Sequence, residues 1–172
     1  MQTLEAIFTR RSIRSFTAES IPDEVLQTII RAAAAAPSAS NAQLWVFMIV
    51  QNARRLAALR SLAPGIIGVP AAVVIMCLDQ RLRQESSDDS FDSITLIDLG
   101  AALQNILLTA HDLGFGGCAI GSFHKQGIMA FLNLPEHIEP CLLVALGKPR
   151  VIPPAPKKRP IEEIHFHEKY TG

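Results

Sequence analysis

The sequence has few cysteines, few charged residues and no net charge, and each shortage excludes a class of protein. The three cysteines, Cys77, Cys118 and Cys141, are odd in number, widely spaced and form no CxxC pair. They therefore indicate neither a disulfide framework nor a zinc or iron–sulfur site, and no metal is expected. Lysine plus arginine balance aspartate plus glutamate at 16 each, which argues against nucleic-acid binding or adhesion to a membrane surface.

The familiar nucleotide and catalytic motifs are also missing. No GxGxxG follows a predicted strand, and the patterns GxxxxGK[ST], GxSxG and HExxH do not occur. Acidic residues concentrate at 85–92 and in the C-terminal tail, so paired carboxylates for acid–base catalysis have no candidates. If the chain is an enzyme, we expect a cofactor to supply its chemistry.

The N-terminus lacks the basic-then-apolar order of a signal peptide. No uninterrupted apolar run approaches the length of a membrane span. We therefore expect a cytoplasmic protein with no membrane partner.

Length and composition bound the architecture. At 172 residues the chain is predicted to form one domain over 1–172. Hydrophobic residues make up 49% and charged residues 19%. This is apolar for a small monomer, so we expect part of the surface to be buried against a partner.

Hydrophobic periodicity predicts nine elements in the order helix, helix, strand, helix, strand, helix, strand, helix, strand. The helices are expected at 3–10, from about Pro22 to Pro37, and at 52–62, 94–113 and 125–132; the strands at 44–50, 71–78, the glycine-rich 115–123 and 141–146. Residues 84–93, which are polar and acidic, are predicted to be a loop. The order does not alternate as in a doubly wound sheet, so we predict an α+β fold with a mixed, mainly antiparallel sheet flanked by helices.

Two segments favour a homodimer. The helix at 94–113 is apolar nearly all round and ends at Gly114 in the C-cap position, so it should be buried on most sides. This is easiest at the centre of a dimer. The last 25 residues carry five prolines and little core material, and are predicted to be an arm lying along a surface, such as the partner's.

Three segments could hold an anionic, planar ligand. Arg10, Arg11, Ser12 and Arg14 lie within five residues, and guanidinium groups bind phosphate oxygens in bidentate fashion. Residues 37–43 offer hydroxyl and amide groups, and 114–121 contain four glycines that would let the backbone approach a flat ligand. Each segment also has a plain structural interpretation, as a solvated charge cluster, a turn-rich loop and a glycine-rich loop.

Together these segments resemble the nitroreductase family. The resemblance rests on RRSIRSF near the start, APSASNAQLWVF at 36–47, DLGAALQNILLTAHDLGFGGCAIGSF at 98–123, LGKP at 146–149 and KKRPIEEI at 157–164. It covers nearly the whole chain in the family's order. One departure is Leu44, which stands where a proline is usual.

The resemblance implies a sandwich fold, an intertwined homodimer and two FMN sites at its interface. By this resemblance Arg10, Arg11 and Ser12 hold the phosphate, Arg14 approaches the N1/C2=O side of the isoalloxazine, and Lys157 and Arg159 complete the phosphate site. The other subunit supplies Pro37, Ser38, Ala39, Asn41 and Gln43. The backbone of Ala119, Ile120, Gly121 and Ser122 lies beneath the ring, with the Gly121 N–H as donor to N5.

The implied activity is ping-pong hydride transfer from NAD(P)H, through flavin N5, to a nitroaromatic compound, a quinone or a similar small acceptor. Phe123 and His124 are candidates for the acceptor pocket. Alternatives within the family are flavin fragmentation and dehalogenation, against which the short 79–93 region argues modestly. A further alternative is a flavin-binding protein without turnover. A redox role for Cys118 has no support from a second cysteine. A metal bound by His165 and His167 has no support either, because no third ligand is apparent.

Overall fold

The computed structural model describes residues 2–82 and 89–171, and within them the helices and strands follow the predicted order. Their bounds are α1 (Thr3–Thr9), α2 (Asp23–Ala34), β1 (Trp45–Val50), α3 (Ala53–Leu62), β2 (Ala72–Asp79), α4 (Asp89–Asp112), β3 (Gly116–Ile120), α5 (Lys125–Leu132) and β4 (Ile138–Gly147). Short 3₁₀ turns lie at Ala39–Asn41, Gln80–Leu82 and Ile161–Glu163.

The strands form one sheet in the order β1-β2-β4-β3, and every neighbouring pair is antiparallel. The central strand β2 is buried along its whole length, which explains its unbroken apolar sequence. The parallel component expected for a mixed sheet is limited, in the described ranges, to an isolated bridge between Ser12 and Gly117. The predicted α+β class is confirmed.

Helices cover both faces of the sheet, because successive side chains of a strand point to opposite sides. On β2, Val74 and Met76 belong to the core cluster shared with α2 and α4. Val73 and Ile75 belong to the cluster shared with α3 and α5. Each fully buried aliphatic side chain contributes roughly 1.5–3 kcal/mol. The molecule is therefore a helix–sheet–helix sandwich with two cores.

Helix α4 buries one stripe and exposes the opposite side in the single chain. Leu99, Ala102, Ile106 and Ala110 recur at helical spacing and are buried in the first core. On the other side Ile97 is 69% exposed. Residues Ser93–Asp112 are long and apolar enough to cross a membrane by length and composition. The buried stripe makes α4 a core helix of the sandwich with an unpartnered apolar face.

The ends of α4 test two predictions. The prediction of a loop at 84–93 is wrong for residues 89–93, which are helical. Residues 84–88 lie outside the described residues. Polarity misleads here because acidic residues are favoured in the first turn of a helix. At the other end Gly114 adopts φ +79°, and its N–H donates to His111 O at 3.1 Å, so the predicted C-cap is confirmed.

The C-terminal segment is anchored where it leaves β4 and exposed beyond that point. The Thr17 N–H donates to Lys148 O at 2.9 Å, and the Arg150 N–H donates to Ser15 O at 2.9 Å. Further on, Ile152 is 68% exposed and Tyr170 76% exposed. The segment therefore starts beside the N-terminal residues and carries apolar side chains that this chain does not cover.

Candidate functional site

The site is built where the chain leaves α1 and runs along the outer edge of β3. The Ile13 N–H donates to Gly117 O at 3.0 Å, which pairs this segment with the strand. Ile13 is buried, and a Cβ on Gly116 would lie 2.3 Å from its Cγ1, so glycine is needed for the close approach. Because side chains alternate in an extended segment, Ser12 and Arg14 point away from the core that holds Ile13.

A cavity of about 520 Å³ lies between this segment and the C-terminal arm. Its walls include the four predicted residues from the N-terminal cluster, the proline-rich arm and one lysine: Arg10, Arg11, Ser12, Arg14, Pro153, Pro154, Ala155, Pro156 and Lys158, with Ile7 and Phe8. The N-terminal basic cluster therefore meets one lysine of the C-terminal arm, far away in sequence. Four cationic side chains around one cavity favour an anionic ligand.

Arg10 is the clearest indication that this cavity suits an anion. Its Nε and Nη1 atoms are buried and have no hydrogen-bond partner among the described residues. Its neighbour Arg11 differs, since Arg11 Nη1 donates to Phe8 O and to Arg10 O, both at 2.9 Å. Burying unpaired guanidinium donors is costly, and a phosphate would satisfy them with charge-assisted bonds. The donors present therefore fit the phosphate of FMN.

The C-terminal basic residues are placed differently from one another. Lys158 lines the cavity, whereas Lys157 and Arg159 are not among its lining residues. Arg159 Nη2 instead donates to Glu163 O at 3.0 Å, and its Nε donates to Glu163 Oε2 at 3.3 Å. In the single chain, the arm residue that faces the N-terminal cluster is therefore Lys158. In the sequence it lies between the two predicted residues, Lys157 and Arg159.

The edge of β3 offers unobstructed backbone next to the cavity. Peptide groups alternate along a strand, so Ala119 and, in continuation, Gly121 direct theirs to the same edge as Gly117. Both residues are exposed, whereas Ile120 between them is buried in the second core. A Cβ on Gly121 would meet no heavy atom of the described residues within 4 Å. A planar ligand could therefore approach this backbone closely.

The loop at 37–43 holds an uncommon backbone conformation. Ser40, Asn41 and Gln43 have φ of 50°, 56° and 50°, in the left-handed region that non-glycine residues seldom adopt. Ser38 Oγ accepts from the Gln43 N–H at 3.2 Å. The cost of such residues, about 1–3 kcal/mol each, must be offset by the surroundings. Clusters of this kind occur at ligand sites.

This loop lies away from the arginine cavity of its own chain. None of the described residues that line the cavity comes from Pro37, Ser38, Ala39, Asn41 or Gln43. Instead the Ala39 N–H donates to Asp98 Oδ2 on α4 at 3.1 Å. The loop is therefore held against α4, the helix that buries one stripe in the first core and exposes apolar side chains on its other side.

Comparison with known proteins decides the family. The model of the Nitroreductase family matches residues 7–67 and 63–148. A protein of Methanothermobacter thermautotrophicus with the provisional name NADH dehydrogenase/NAD(P)H nitroreductase is 33% identical over 156 residues, which cover 87% of this chain and 78% of that protein. The chain belongs to the nitroreductase family.

Two further similarities are to proteins from Vibrio harveyi. The NADPH-flavin oxidoreductase of this organism is 32% identical over 178 residues, covering 98% of this chain and 74% of that protein. The structure described as NADPH:FMN oxidoreductase from Vibrio harveyi complexed with NAD+ superimposes with a TM-score of 0.87 at 29% identity, covering 99% of this chain and 78% of that one. The predicted nitroreductase-like sandwich is confirmed.

The nitroreductase family match covers the predicted site unevenly. It includes the N-terminal arginines, the 37–43 loop and the β3 edge, but it ends at residue 148. Lys157 and Arg159 therefore remain predictions from the sequence resemblance.

Phe123 and His124 have structural contacts that account for them without a ligand. Phe123 is half-buried against the second core. His124 Nδ1 accepts from the Gly127 N–H at 2.9 Å and caps the N-terminus of α5. Their place in an acceptor pocket stays a prediction.

The cysteines and the tail histidines show no sign of a further centre. Cys118 is buried, and its Sγ contacts Ala119 O at 3.4 Å. Burial raises the pKa of the Cys77 thiol to about 12, so this thiol stays protonated. Within the described residues, no group of three or more His, Cys, Asp or Glu side chains could hold a metal, and His165 and His167 are exposed.

Three residues near the site escaped the sequence prediction. Asp98 and His111 are polar positions within an apolar helix, and that contrast was their signal. His111 Nε2 lies 2.8 Å from Thr9 Oγ1, at the residue directly before Arg10. The third, Lys158, could not be separated from its two basic neighbours by sequence.

Proposed function

We propose that the protein is an NAD(P)H-dependent FMN oxidoreductase that acts as a cytoplasmic homodimer of single-domain subunits. The observation that carries the proposal is the Arg10 guanidinium, which lines a cationic cavity and has two buried donor nitrogens without a hydrogen-bond partner among the described residues. The printed names of the relatives support it, since they are flavin or FMN oxidoreductases and nitroreductases that use NADPH or NAD(P)H.

In this proposal Arg10 and Ser12 bind the phosphate, with Arg11 and the arm's Lys158 contributing positive charge. Lys157 and Arg159 join them if the arm shifts when a partner binds. Arg14 neutralises charge that develops on the N1/C2=O side of the ring, which raises the reduction potential of the flavin. Residues Ala119 to Ser122 supply the backbone beneath the ring, and the Gly121 N–H donates to N5.

The chemistry supplied by bound FMN is ping-pong hydride transfer from NAD(P)H, through N5, to a nitroaromatic compound, a quinone or a similar small acceptor. The chain's own residues need not act as acid or base in this reaction. Their tasks are to align the nicotinamide ring with the flavin ring and to exclude competing reactions.

The homodimer accounts for surfaces that the single chain leaves uncovered. Apolar side chains are exposed on α1, α4 and the arm: Leu4, Phe8, Leu96, Ile97, Ile161 and Tyr170. Large apolar side chains exposed in this number favour burial against another protein surface. The strained 37–43 loop is held on α4 and lies away from its own chain's cavity, so we propose that it completes the partner's flavin site.

One experiment tests the function. The purified protein is loaded with FMN, its visible spectrum is recorded, and it is titrated anaerobically with NADH and NADPH. We expect a yellow protein whose visible flavin absorbance is bleached by at least one of them and restored by a quinone or nitro compound. A protein that takes up no FMN contradicts the proposal. A yellow protein that neither NADH nor NADPH bleaches excludes the NAD(P)H-dependent reductase and leaves the other flavin-binding alternatives.

A further inference from the structure

The side chains of Thr9 and His111 connect the last turn of α1 to the last turn of α4. His111 Nε2 and Thr9 Oγ1 lie 2.8 Å apart, across 102 positions of sequence. Helix α1 has seven residues, and Ala6 is its one buried residue. A helix this short is marginal alone, so its position depends on such tertiary contacts.

The direction of this hydrogen bond follows from the number of hydrogens on the hydroxyl. Thr9 Oγ1 also lies 2.7 Å from Glu5 O, a carbonyl oxygen that can only accept. The single hydroxyl hydrogen is therefore donated to Glu5 O. Thr9 Oγ1 must then accept, so the donor is the Nε2–H of His111.

Burial, together with the two neighbouring arginines, favours the neutral form of His111. Its pKa is lowered first by burial and then by the positive charges of Arg10 and Arg11, while Asp112 and Glu5 act in the opposite direction. A neutral ring with its proton on Nε2 makes the bond to Thr9 and adds no positive charge that would repel the two arginines.

Arg10 follows Thr9 directly. The Arg10 N–H donates to Ala6 O at 3.0 Å, so its backbone completes the last turn of α1. Two of its guanidinium nitrogens are buried and have no hydrogen-bond partner in the part of the chain that the structure describes. The contact that fixes the end of α1 therefore also fixes the point from which this side chain reaches the cavity.

We propose that His111 and Thr9 form a latch that positions Arg10 for the phosphate of the flavin, and so sets the preference for FMN over riboflavin. This inference rests on the proposed function, because it takes FMN as the ligand. His111 and Thr9 are positioning residues, which act through Arg10 and touch neither the phosphate nor the ring.

The test compares FMN with riboflavin, which lacks the phosphate. Dissociation constants of both are measured by flavin fluorescence on apoprotein of the wild type, His111→Leu, His111→Gln and Thr9→Val. Glutamine keeps an Nε2–H donor at a similar reach. Thr28→Val is the matched control, because Thr28 Oγ1 also donates to the carbonyl four residues earlier, Glu24 O at 2.8 Å.

Loss of one hydrogen bond should lower the FMN-to-riboflavin affinity ratio about fivefold in His111→Leu and Thr9→Val. Riboflavin affinity should stay unchanged, His111→Gln should restore most of the ratio, and Thr28→Val should match the wild type. In the double variant His111→Leu/Thr9→Val the losses should not add, since both remove the same contact.

The outcomes separate the two proposals. A wild type that binds no FMN overturns the proposed function. A wild type that prefers FMN, with an unaltered ratio in Thr9→Val and His111→Leu, overturns the latch alone. Equal losses for FMN and riboflavin also overturn it, because they indicate general loss of structure. If His111→Leu does not fold, Thr9→Val and His111→Gln still decide.

Discussion

Asp98 Oδ2 accepts the backbone N–H of Ala39 at 3.1 Å and so joins the central helix α4 to the loop in which three non-glycine residues adopt positive φ. The same helix carries His111 at its other end, against the N-terminal segment. Helix α4 therefore supports two of the segments that we assign to flavin binding, one for its own cavity and one for the partner's.

Removing the Asp98 carboxylate should release the 37–43 loop. A hydrogen bond to a charged acceptor contributes about 1.5–3 kcal/mol, so Asp98→Ala should lower the free energy of unfolding by roughly that amount or less. FMN affinity should fall with it, because the loop loses its conformation. Asp98→Asn keeps an acceptor oxygen and should lie close to the wild type in urea denaturation and FMN titration. Equal behaviour of wild type and Asp98→Ala would show that the loop is held by other contacts.

Replacing Arg10 should affect the holoprotein and the apoprotein in opposite ways. Arg10→Ala removes a charge-assisted partner of the phosphate, so FMN affinity should fall roughly 10- to 100-fold, with little change for riboflavin. The apoprotein should be as stable as the wild type or more so, because the buried Nε and Nη1 atoms have no hydrogen-bond partner within residues 2–82 and 89–171. Arg54→Ala, an exposed position on α3, is the control. Unchanged FMN affinity in Arg10→Ala would place the phosphate elsewhere.

Periodicity was enough to predict the order of the elements and most of their bounds. The strand β2 was recognisable because a strand covered on both faces is a continuous apolar run, and Gly114 marked the end of α4. The start of α4 was missed because acidic residues suit both a loop and a first helical turn. Local composition does not distinguish these two cases.

The site was predictable as residue types but not as an arrangement. Arg10 to Arg14 and the arm could be named from the sequence, yet their convergence depends on the bonds of Ser15 and Thr17 to the chain after β4. Lys158 lines the cavity, and Lys157 and Arg159 do not, because of the conformation of the arm, which the sequence does not show. The contact between Thr9 and His111 spans 102 positions, and no local pattern encodes it.

A substitution at Gly121 should weaken flavin binding and leave the stability of the fold nearly unchanged. In Gly121→Ala the new Cβ meets no heavy atom of the described chain within 4 Å, so the free energy of unfolding should change by no more than about 0.5 kcal/mol. FMN and riboflavin should both bind more weakly, because the methyl group occupies space proposed for the ring. Gly117→Ala is the opposite control: its Cβ would lie 2.8 Å from Leu146 Cδ2, and destabilisation of roughly 1–3 kcal/mol is expected. Unchanged flavin affinity in Gly121→Ala would move the ring away from this edge.

Asp79 should make the fold sensitive to acid. Hydrogen bonds from the Arg81 side chain lower the pKa of this carboxyl from 3.8 to about 2, against the opposing effect of burial. Arg81 Nη2 donates to Asp79 Oδ2 at 2.7 Å, and Arg81 Nε donates to Oδ1 at 3.1 Å. Because the folded pKa lies below the unfolded value, the stabilisation is present above about pH 4 and is lost as the pH falls towards 2.

The corresponding measurement is the free energy of unfolding as a function of pH for the wild type, Asp79→Asn and Arg81→Gln. Both variants should be less stable than the wild type at pH 7, and both should lose less stability than the wild type between pH 4 and pH 2. The effect of Arg81→Gln should be modest, since the Arg81 side chain is 65% exposed and water screens the pair. Parallel curves for all three proteins would mean that Arg81 does not hold the carboxylate in its charged form.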